Sequence, residues 1–172
     1  MKPPLRVVVV MGVSGSGKTT VARSLAQAWP ATFLDADDFH SVAAKARMAR
    51  GEPLTDRMRE PWVRRIRAEL VRRTDGGERV VLAFSGLRRR HRDELRDAAL
   101  PLGFFFLHGD RRLIAARMRA RSSHYMPVSL LDSQFAALQD PRGEPDVVTL
   151  EIDTAPAELV ARAISLIPIA QH

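Results

Sequence analysis

The stretch at residues 12–19, GVSGSGKT, constrains the fold of this chain more than any other. It matches the pattern G-x-x-x-x-G-K-[ST] at every defined position. An apolar run with four consecutive valines ends just before it at Met11, and apolar residues at helical spacing follow it over residues 21–29. These surroundings predict a buried strand, a glycine-rich turn and the start of a helix. The sequence therefore predicts a loop that binds phosphate groups, rather than a Ser/Gly loop that carries a lysine by chance.

Each part of this loop has a defined chemical use. Glycines let the backbone turn tightly and aim successive N–H groups inward, and the following helix N-terminus adds its positive dipole end. Lys18 is expected to reach the β- and γ-phosphates of a nucleotide, and the Thr19 hydroxyl to bind Mg²⁺. The residues expected to contact the nucleotide here are Gly12, Val13, Ser14, Gly15, Ser16, Gly17, Lys18, Thr19 and Thr20.

Length and composition predict one domain over residues 1–172. The chain is 45% apolar and 27% charged, which is typical of a globular protein with a full hydrophobic core. It contains no cysteine, so disulfides and thiolate metal sites are excluded. The N-terminal residues lead directly into the first strand, so no signal peptide is expected, and no apolar run approaches the length of a membrane span. We therefore expect a cytoplasmic protein without a membrane partner.

The net charge of +7 raises the question of a nucleic-acid partner. Of the 27 basic residues, only Lys2, Lys18 and Lys45 are lysines, so arginine dominates. The arginines are spread along predicted helices, and no RNA-recognition motif or arginine/aromatic platform accompanies them. An arginine-rich solvated surface, together with a site for a polyanionic nucleotide, is the favoured interpretation, and no nucleic-acid partner is expected.

Strands and helices alternate along the whole chain. This alternation behind a phosphate-binding loop predicts a three-layer α/β/α domain with a parallel sheet of five strands. Strands are predicted at residues 7–11, 32–38, 80–84, 102–107 and 147–152. Helices are predicted at residues 18–28, 40–50, from Arg59 or Pro61 to about 75, 88–100, 111–121, 128–138 and 155–166.

The second predicted strand ends in the acidic run Asp35-Ala36-Asp37-Asp38. Ligands of open α/β sheets gather at such strand ends, beside the phosphate-binding loop. The GTPase base-recognition motif N-K-x-D is absent, and the chain leaves little room for the switch or sensor parts of a motor ATPase. The acidic end of the second strand and the arginine-bearing segments instead favour a small phosphotransferase. Catalysis by such an enzyme depends on positioning and on charge neutralisation.

Six segments resemble the gluconokinase family, the ATP-dependent D-gluconate 6-kinases of the small P-loop type, related in fold to shikimate kinase. They are MGVSGSGKTT at 11–20, DADDFH at 35–40, GEPLTD at 51–56, REPW at 59–62, HYMP at 124–127 and LLDSQF at 130–135. The last two strings are the most specific, because shikimate and adenylate kinases lack them. The resemblance implies a P-loop kinase fold with sheet order 2-3-1-4-5, a helical lid at about residues 115–128, and a homodimer.

The resemblance also suggests how the acidic strand end is used. Asp35 and Asp37 stand two positions apart, so both point the same way if the strand stays extended. Asp35 is then expected in the second coordination sphere of Mg²⁺, and Asp37 is expected to take or orient the proton of the substrate hydroxyl. The alternative is structural: Asp37 or Asp38 caps the following helix.

The remaining candidates are histidines and arginines. Those expected to bind the substrate are His40, Arg59, Arg88 and His124, with Arg59 pairing bidentately with a carboxylate. Arg88 and Arg89 follow a strand end, and one of the two is expected to face the site. Arg117 and Arg121 stand four apart on one predicted helix face just before His124, within the predicted lid, and are expected to contact the phosphates of ATP. Solvated charged faces are the alternative for each of them.

Ala44 and Arg47 depart from the family pattern, which usually has Asn and Lys at these positions. If that Asn binds the hydroxyls of the sugar acid in relatives, Ala44 predicts weaker gluconate binding or a different substrate. The sequence therefore predicts a kinase that uses ATP and Mg²⁺ to convert D-gluconate to 6-phospho-D-gluconate. The alternatives are a kinase for another sugar acid or polyol, a basic nucleotide- or nucleic-acid-binding protein, and a regulatory P-loop protein without activity.

Overall fold

The computed structural model describes residues 3–120 and 129–167. Five parallel strands form one sheet in the order β2-β3-β1-β4-β5, which confirms the predicted topology. The strands are β1 Val7–Met11, β2 Thr32–Asp35, β3 Val80–Ala83, β4 Leu102–His108 and β5 Val147–Glu151. The helices are α1 Lys18–Ala28, α2 Val42–Ala49, α3 Asp56–Asp75, α4 Arg89–Arg96, α5 Arg111–Ala120, α6 Ser129–Ala137 and α7 Pro156–Leu166.

Strand β1 lies in the middle of the sheet, and every one of its side chains is apolar, as burial on both faces requires. All five of its residues are buried, and their side chains alternate between the two faces of the sheet. Val8 and Val10 pack in a core with residues of α1, α5, α6 and α7. Val7 and Val9 pack in a second core with α3 and with Leu95 of α4. Helices therefore cover both faces, and the phosphate-binding loop leaves the sheet at its middle.

Helix α3 begins earlier than its sequence suggested. The predicted start at Arg59 or Pro61 is wrong, because the Thr55 hydroxyl caps the helix by accepting a hydrogen bond from the Met58 N–H at 3.2 Å. Pro61 lies inside the helix, where it removes one backbone donor. One face of the helix is nevertheless deeply buried, which holds the helix together across this position. Its buried residues are Trp62, Val63, Ile66 and Leu70.

Helix α4 is shorter than the predicted span of 88–100. It ends at Arg96, and Ala99 turns the chain with a φ of 56° before β4 begins at Leu102. Within the described residues, no helix has both the length and the apolar character that a membrane crossing requires.

Candidate active site

The phosphate-binding loop has the backbone shape that its glycines predict. Gly17 has a φ of 97° and forms the N-cap of α1, a conformation that a side chain would strain. A Cβ atom on Gly15 would lie 2.4 Å from Cγ of Met118, so only glycine lets helix α5 pack against the loop. The Lys18 ammonium donates a hydrogen bond to the Val13 carbonyl at 3.0 Å and folds back over the loop.

One hydroxyl in this loop is buried without a hydrogen-bond partner in the described part of the chain. It is Oγ of Ser16, a residue that is 1% exposed. Buried polar groups are normally satisfied, so an exception in a loop of this shape needs an explanation. This hydroxyl lies beside Gly12, where an added Cβ atom would come within 2.8 Å of it, and Ser16 does not line the cleft. The fit of the loop to a nucleotide therefore rests on the left-handed turn at Gly17 and on Lys18, both of which line the cleft.

A cleft of about 890 Å³, measured with its open mouth, lies over the carboxyl ends of β2 and β3. This is the edge at which open α/β sheets bind ligands. The predicted site residues that line the cleft are Ser14, Gly15, Gly17, Lys18, Thr19, Asp35, Asp37, His40 and Arg59. The sequence also predicted Gly12, Val13, Ser16, Thr20, Arg88 and Arg117, which are not among the residues that line the cleft.

The acidic strand end is built differently from the extended strand that was predicted. Strand β2 stops at Asp35, and Asp37 lies in the 3-10 helix Ala36–Phe39. Asp35 is the capping residue, since its carboxylate accepts a hydrogen bond from the Asp37 N–H at 2.9 Å. The structural alternative, in which Asp37 or Asp38 caps the next helix, is therefore wrong, and Ser41 caps α2. The cap turns both Asp35 and Asp37 into the cleft.

Lys18 and the two carboxylates influence one another in this cleft. Burial lowers the pKa of Lys18 below its ordinary value, and the charges of Asp37 and Asp35 oppose that shift. Burial likewise raises the pKa of Asp35, while the hydrogen bond from the Asp37 N–H opposes the rise. Lys18 and the two carboxylates therefore stabilise one another's charged forms in a partly dehydrated site. Electrostatic interactions with a charged ligand are stronger in such a site than in water.

His40 forms one wall of the cleft together with Trp62. The two rings stack with centroids 4.1 Å apart, and the indole N–H of Trp62 donates to the Ala36 carbonyl at 2.7 Å. His40 Nε2 lies 3.8 Å from the Asp37 carboxylate. Burial lowers the pKa of His40 to about 4, although Asp37 acts against the shift. Near neutral pH, His40 is therefore an uncharged hydrogen-bonding group beside Asp37.

Three arginines surround the single carboxylate of Asp56. Arg59 donates to it at 3.2 Å and Arg88 at 3.3 Å, while Arg90 lies 4.0 Å away. Burial works to raise the pKa of Asp56, but the three guanidinium groups together hold it below its ordinary value. Glu60 pairs with Arg90 at 3.1 Å, so the cluster keeps one unbalanced positive charge. Arg59 is the member of this cluster that lines the cleft, so the positive charge of the cluster suits an anionic ligand.

The geometry distinguishes Arg88 from Arg89. The Arg88 side chain is 31% exposed and points at Asp56, while that of Arg89 is 65% exposed and lies 3.8 Å from Asp93 on its own helix. Arg88 therefore belongs to the arginine cluster and Arg89 faces solvent. Arg88 does not line the cleft and is connected to it through Asp56, which also binds Arg59. A direct contact between Arg88 and the substrate stays a prediction.

Helix α6 is bonded to two loops of the site, a link that sequence reasoning largely missed. The Ser14 N–H in the phosphate-binding loop donates to the Gln134 side chain at 2.6 Å. At the other end, the Gln139 N–H donates to the Leu87 carbonyl at 2.7 Å, and its side chain accepts from the Arg89 N–H at 2.7 Å. The LLDSQF string was the only signal for Gln134, and the sequence holds none for Gln139.

Arg117 has a different partner from the predicted one. Its guanidinium donates to the Ile152 carbonyl just after β5, at 2.6 Å, and Arg117 is not among the residues that line the cleft. A contact with ATP stays a prediction for Arg117. Arg121, His124 and most of the predicted lid at 115–128 lie outside the described residues.

Protonation of the buried histidines is expected to destabilise the fold below pH 6.5. Burial and the neighbouring Arg90 lower the pKa of His91 to about 4, and Nε2 of this residue has no partner in the described part of the chain. The unfolded chain then binds more protons than the folded one between pH 6.5 and 4, so stability is complete above this window and declines as the pH falls through it. Thermal denaturation from pH 7.5 to 4.5 should show this decline. His91→Phe should flatten the profile, and an unchanged profile would contradict the assignment.

Comparison with known proteins identifies the family. A model of the AAA domain matches residues 7–145. A gluconokinase of Arabidopsis thaliana is 42% identical over 147 residues, which cover 78% of this chain and 78% of the relative. The chain belongs to the gluconokinase family. A gluconokinase structure from Sinorhizobium meliloti aligns with a TM-score of 0.84 and 41% identity over 95% of this chain and 91% of that one. A sugar kinase structure from Janibacter aligns with a TM-score of 0.91 and 41% identity over 97% of this chain and 96% of that one.

Ala44, which departs from the gluconokinase pattern, is buried and is not among the residues that line the cleft. Ala44 packs in a small apolar cluster with Met48, Leu54 and Leu130. The last three of these side chains line the cleft, as do Asp37 and Arg59. The cleft therefore has an apolar wall, formed by Met48, Leu54 and Leu130, in addition to its charged groups.

Proposed function

We propose that this protein transfers the γ-phosphate of ATP to the 6-hydroxyl of D-gluconate. The observation that carries the proposal is that one cleft contains two kinds of group. Lys18, Asp35 and Asp37 line it beside the phosphate-binding loop, and Arg59, which belongs to the positively charged cluster around Asp56, lines it as well. A linear sugar acid has matching ends, a terminal hydroxyl and a carboxylate. Membership of the gluconokinase family supports the same substrate.

The residues of the cleft account for each part of the transfer. Arg59 binds the carboxylate, which directs the 6-hydroxyl towards Asp37. Asp37 accepts the hydroxyl proton while the oxygen attacks the γ-phosphorus, and the bond to the bridging oxygen breaks as ADP leaves with its electron pair. Lys18 and the N–H groups of the loop stabilise the charge on the transferring group. Neutral His40 hydrogen-bonds a substrate hydroxyl next to Asp37.

Mg²⁺ fits the oxygen donors at the loop. The Thr19 side chain is exposed to the cleft, and Asp35 and Asp37 line the same space. Among the described residues, no group of three or more His, Cys, Asp or Glu side chains forms a metal cage. Mg²⁺ is commonly held by one or two side-chain oxygens together with substrate phosphates and water, so this sparse set suits it. When bound, Mg²⁺ neutralises charge on the phosphates.

A substrate panel tests the proposed function. ADP release should be measured with D-gluconate, with other linear sugar acids and with glucitol, whose six-carbon chain carries an alcohol in place of the carboxylate. Gluconate is expected to give the highest kcat/KM, and glucitol only the background rate. The apolar wall formed by Met48, Leu54 and Leu130 favours one second candidate, a sugar acid with fewer hydroxyls. If such an acid gave a higher kcat/KM than gluconate, that acid would become the proposed substrate.

Arg59→Ala is expected to raise the KM for gluconate by a factor of ten or more and to leave the KM for ATP nearly unchanged. A charge-assisted pair in a partly buried site costs about 2–5 kcal/mol to break. Steady-state kinetics with each substrate varied in turn measures the effect. The control is Arg57→Ala, an exposed arginine two positions earlier in α3, which should behave as wild type. A rise in the KM for ATP alone would assign Arg59 to the nucleotide and contradict the orientation.

A homodimer is implied by the family resemblance, and gel filtration with light scattering tests it. A cytoplasmic location suits an ATP-dependent enzyme whose sequence has no cysteine. Many surface arginines are neutralised by carboxylates, such as Arg72 and Arg73 by Glu69. This pairing supports the absence of a nucleic-acid partner, and a gel shift at physiological salt tests it.

A further inference from the structure

Arg92 is a fully buried arginine that the proposed mechanism does not use. Its side chain is 0% exposed, the largest side chain of the core to be so enclosed. Each of the five N–H donors of the guanidinium has an acceptor. Two bonds reach the Glu144 carboxylate, at 3.2 and 2.6 Å, and three reach the carbonyls of Gly86, Leu87 and Gln139, at 2.6, 3.4 and 3.0 Å.

Stability alone is a weak reason for such a group. Removing two charges from water costs several kcal/mol, and apolar side chains of similar volume often stabilise a core as well or better. The particular feature of Arg92 is the set of carbonyls that it binds. Two of them belong to the loop that joins β3 to α4, and apolar side chains cannot hold a loop carbonyl in place.

This loop contributes to the lining of the cleft in which the substrate is proposed to bind. Ser85 and Leu87 line the cleft, and Gly86 turns the chain with a φ of 59°. The next residue, Arg88, donates to Asp56, and Arg59 donates to the same carboxylate oxygen. The Ser85 carbonyl also accepts from the Gly12 N–H at 3.2 Å, which ties the loop to the phosphate-binding loop.

We propose that Arg92, held by Glu144, is a positioning residue for substrate binding: it fixes the 86–88 loop so that Arg88 and Asp56 keep Arg59 aimed at the substrate carboxylate. The inference rests on the proposed function. The largest effect is expected on the acceptor side of the cleft, because the side-chain bonds of Arg92 reach the 86–88 loop directly and the phosphate-binding loop only through the Ser85–Gly12 bond.

Arg92→Met is expected to raise the KM for gluconate about tenfold or more, since small misplacements of binding groups have large effects, while the KM for ATP stays within about twofold. Arg96→Met is the matched control. Arg96 bonds the same Glu144 at 2.8 Å, and also Asp146 and Asp93, but makes no bond to the 86–88 loop. The control should lower the Tm without the selective rise in KM. If Arg92→Met does not fold, Arg92→Lys, which keeps the charge but not the planar fork, replaces it in the comparison.

A double-variant cycle tests the route through Arg88. If Arg92 acts through that residue, adding Arg92→Lys to Arg88→Ala should raise the KM for gluconate no further than Arg88→Ala alone. Full additivity, or a KM for gluconate that rises no more than in Arg96→Met, would overturn the inference. Wild-type protein that does not phosphorylate gluconate would instead reject the proposed function. The two failures are therefore distinguishable.

Discussion

Lys18→Ala is expected to lower kcat by about 10³-fold or more, with a folded protein. The ammonium group supplies positive charge at the transferring phosphoryl group, and removal of such a charge has effects of this size. The fold should survive because Lys18 contributes charge rather than packing, and burial already lowers its pKa, a sign that its charge is costly in this environment. Coupled ADP-release kinetics gives kcat, and thermal denaturation reports the fold.

Lys45→Ala is the control for this variant. Lys45 is the other lysine in the described part of the chain and is exposed on α2. Its substitution therefore also removes one positive charge, but at a position outside the phosphate-binding loop. It should leave kcat unchanged. Turnover near the wild-type rate in Lys18→Ala would contradict the assignment of the phosphate-binding loop.

Asp37→Asn is expected to reduce kcat by about 10²–10⁴-fold, the usual contribution of general base catalysis, with a change in the KM for gluconate of only a few-fold. The amide keeps the shape and the hydrogen-bonding reach of the side chain but does not accept the proton. The loss is therefore confined to the transition state. Because the cap at this strand end uses the Asp37 N–H and the Asp35 carboxylate, the substitution leaves the local backbone bond intact.

Asp38→Asn provides the comparison at the neighbouring carboxylate. Asp38 is exposed and is not among the residues that line the cleft, so its variant should keep the wild-type kcat. Equal losses in the two variants would mean that the overall negative charge of the strand end matters, rather than a base at Asp37. A large rise in KM with an unchanged kcat would assign Asp37 to binding alone.

The fold was predictable where the signal is local. Four consecutive valines before a glycine-rich motif leave few options other than a buried parallel strand, and β1 lies where the pattern placed it. The sheet order came from the family resemblance, because no local pattern fixes which strands pair. The turn of the glycine-rich loop and the start of α1 were predictable for the same local reason as β1, and phosphate binding by the individual loop residues stays a prediction.

The rest of the site depends on contacts between distant parts of the chain. Arg92 meets Glu144 across 52 positions of sequence, and Ser14 meets Gln134 across 120. No spacing rule connects residues so far apart. The predicted end of β2 was wrong for a different reason. The Asp35 side chain accepts a hydrogen bond from the Asp37 N–H, and this local bond favours a 3-10 helix over an extended strand.

Phosphorus NMR of the wild-type reaction tests the central claim most directly. The protein, ATP, Mg²⁺ and D-gluconate should be followed together, with a parallel sample that lacks gluconate. The account predicts a new phosphomonoester resonance, coupled to the two protons on C6 of gluconate, that grows in equal amount with ADP and is absent from the parallel sample. ADP formed without a sugar phosphate, or a phosphate ester on any other carbon, would contradict it.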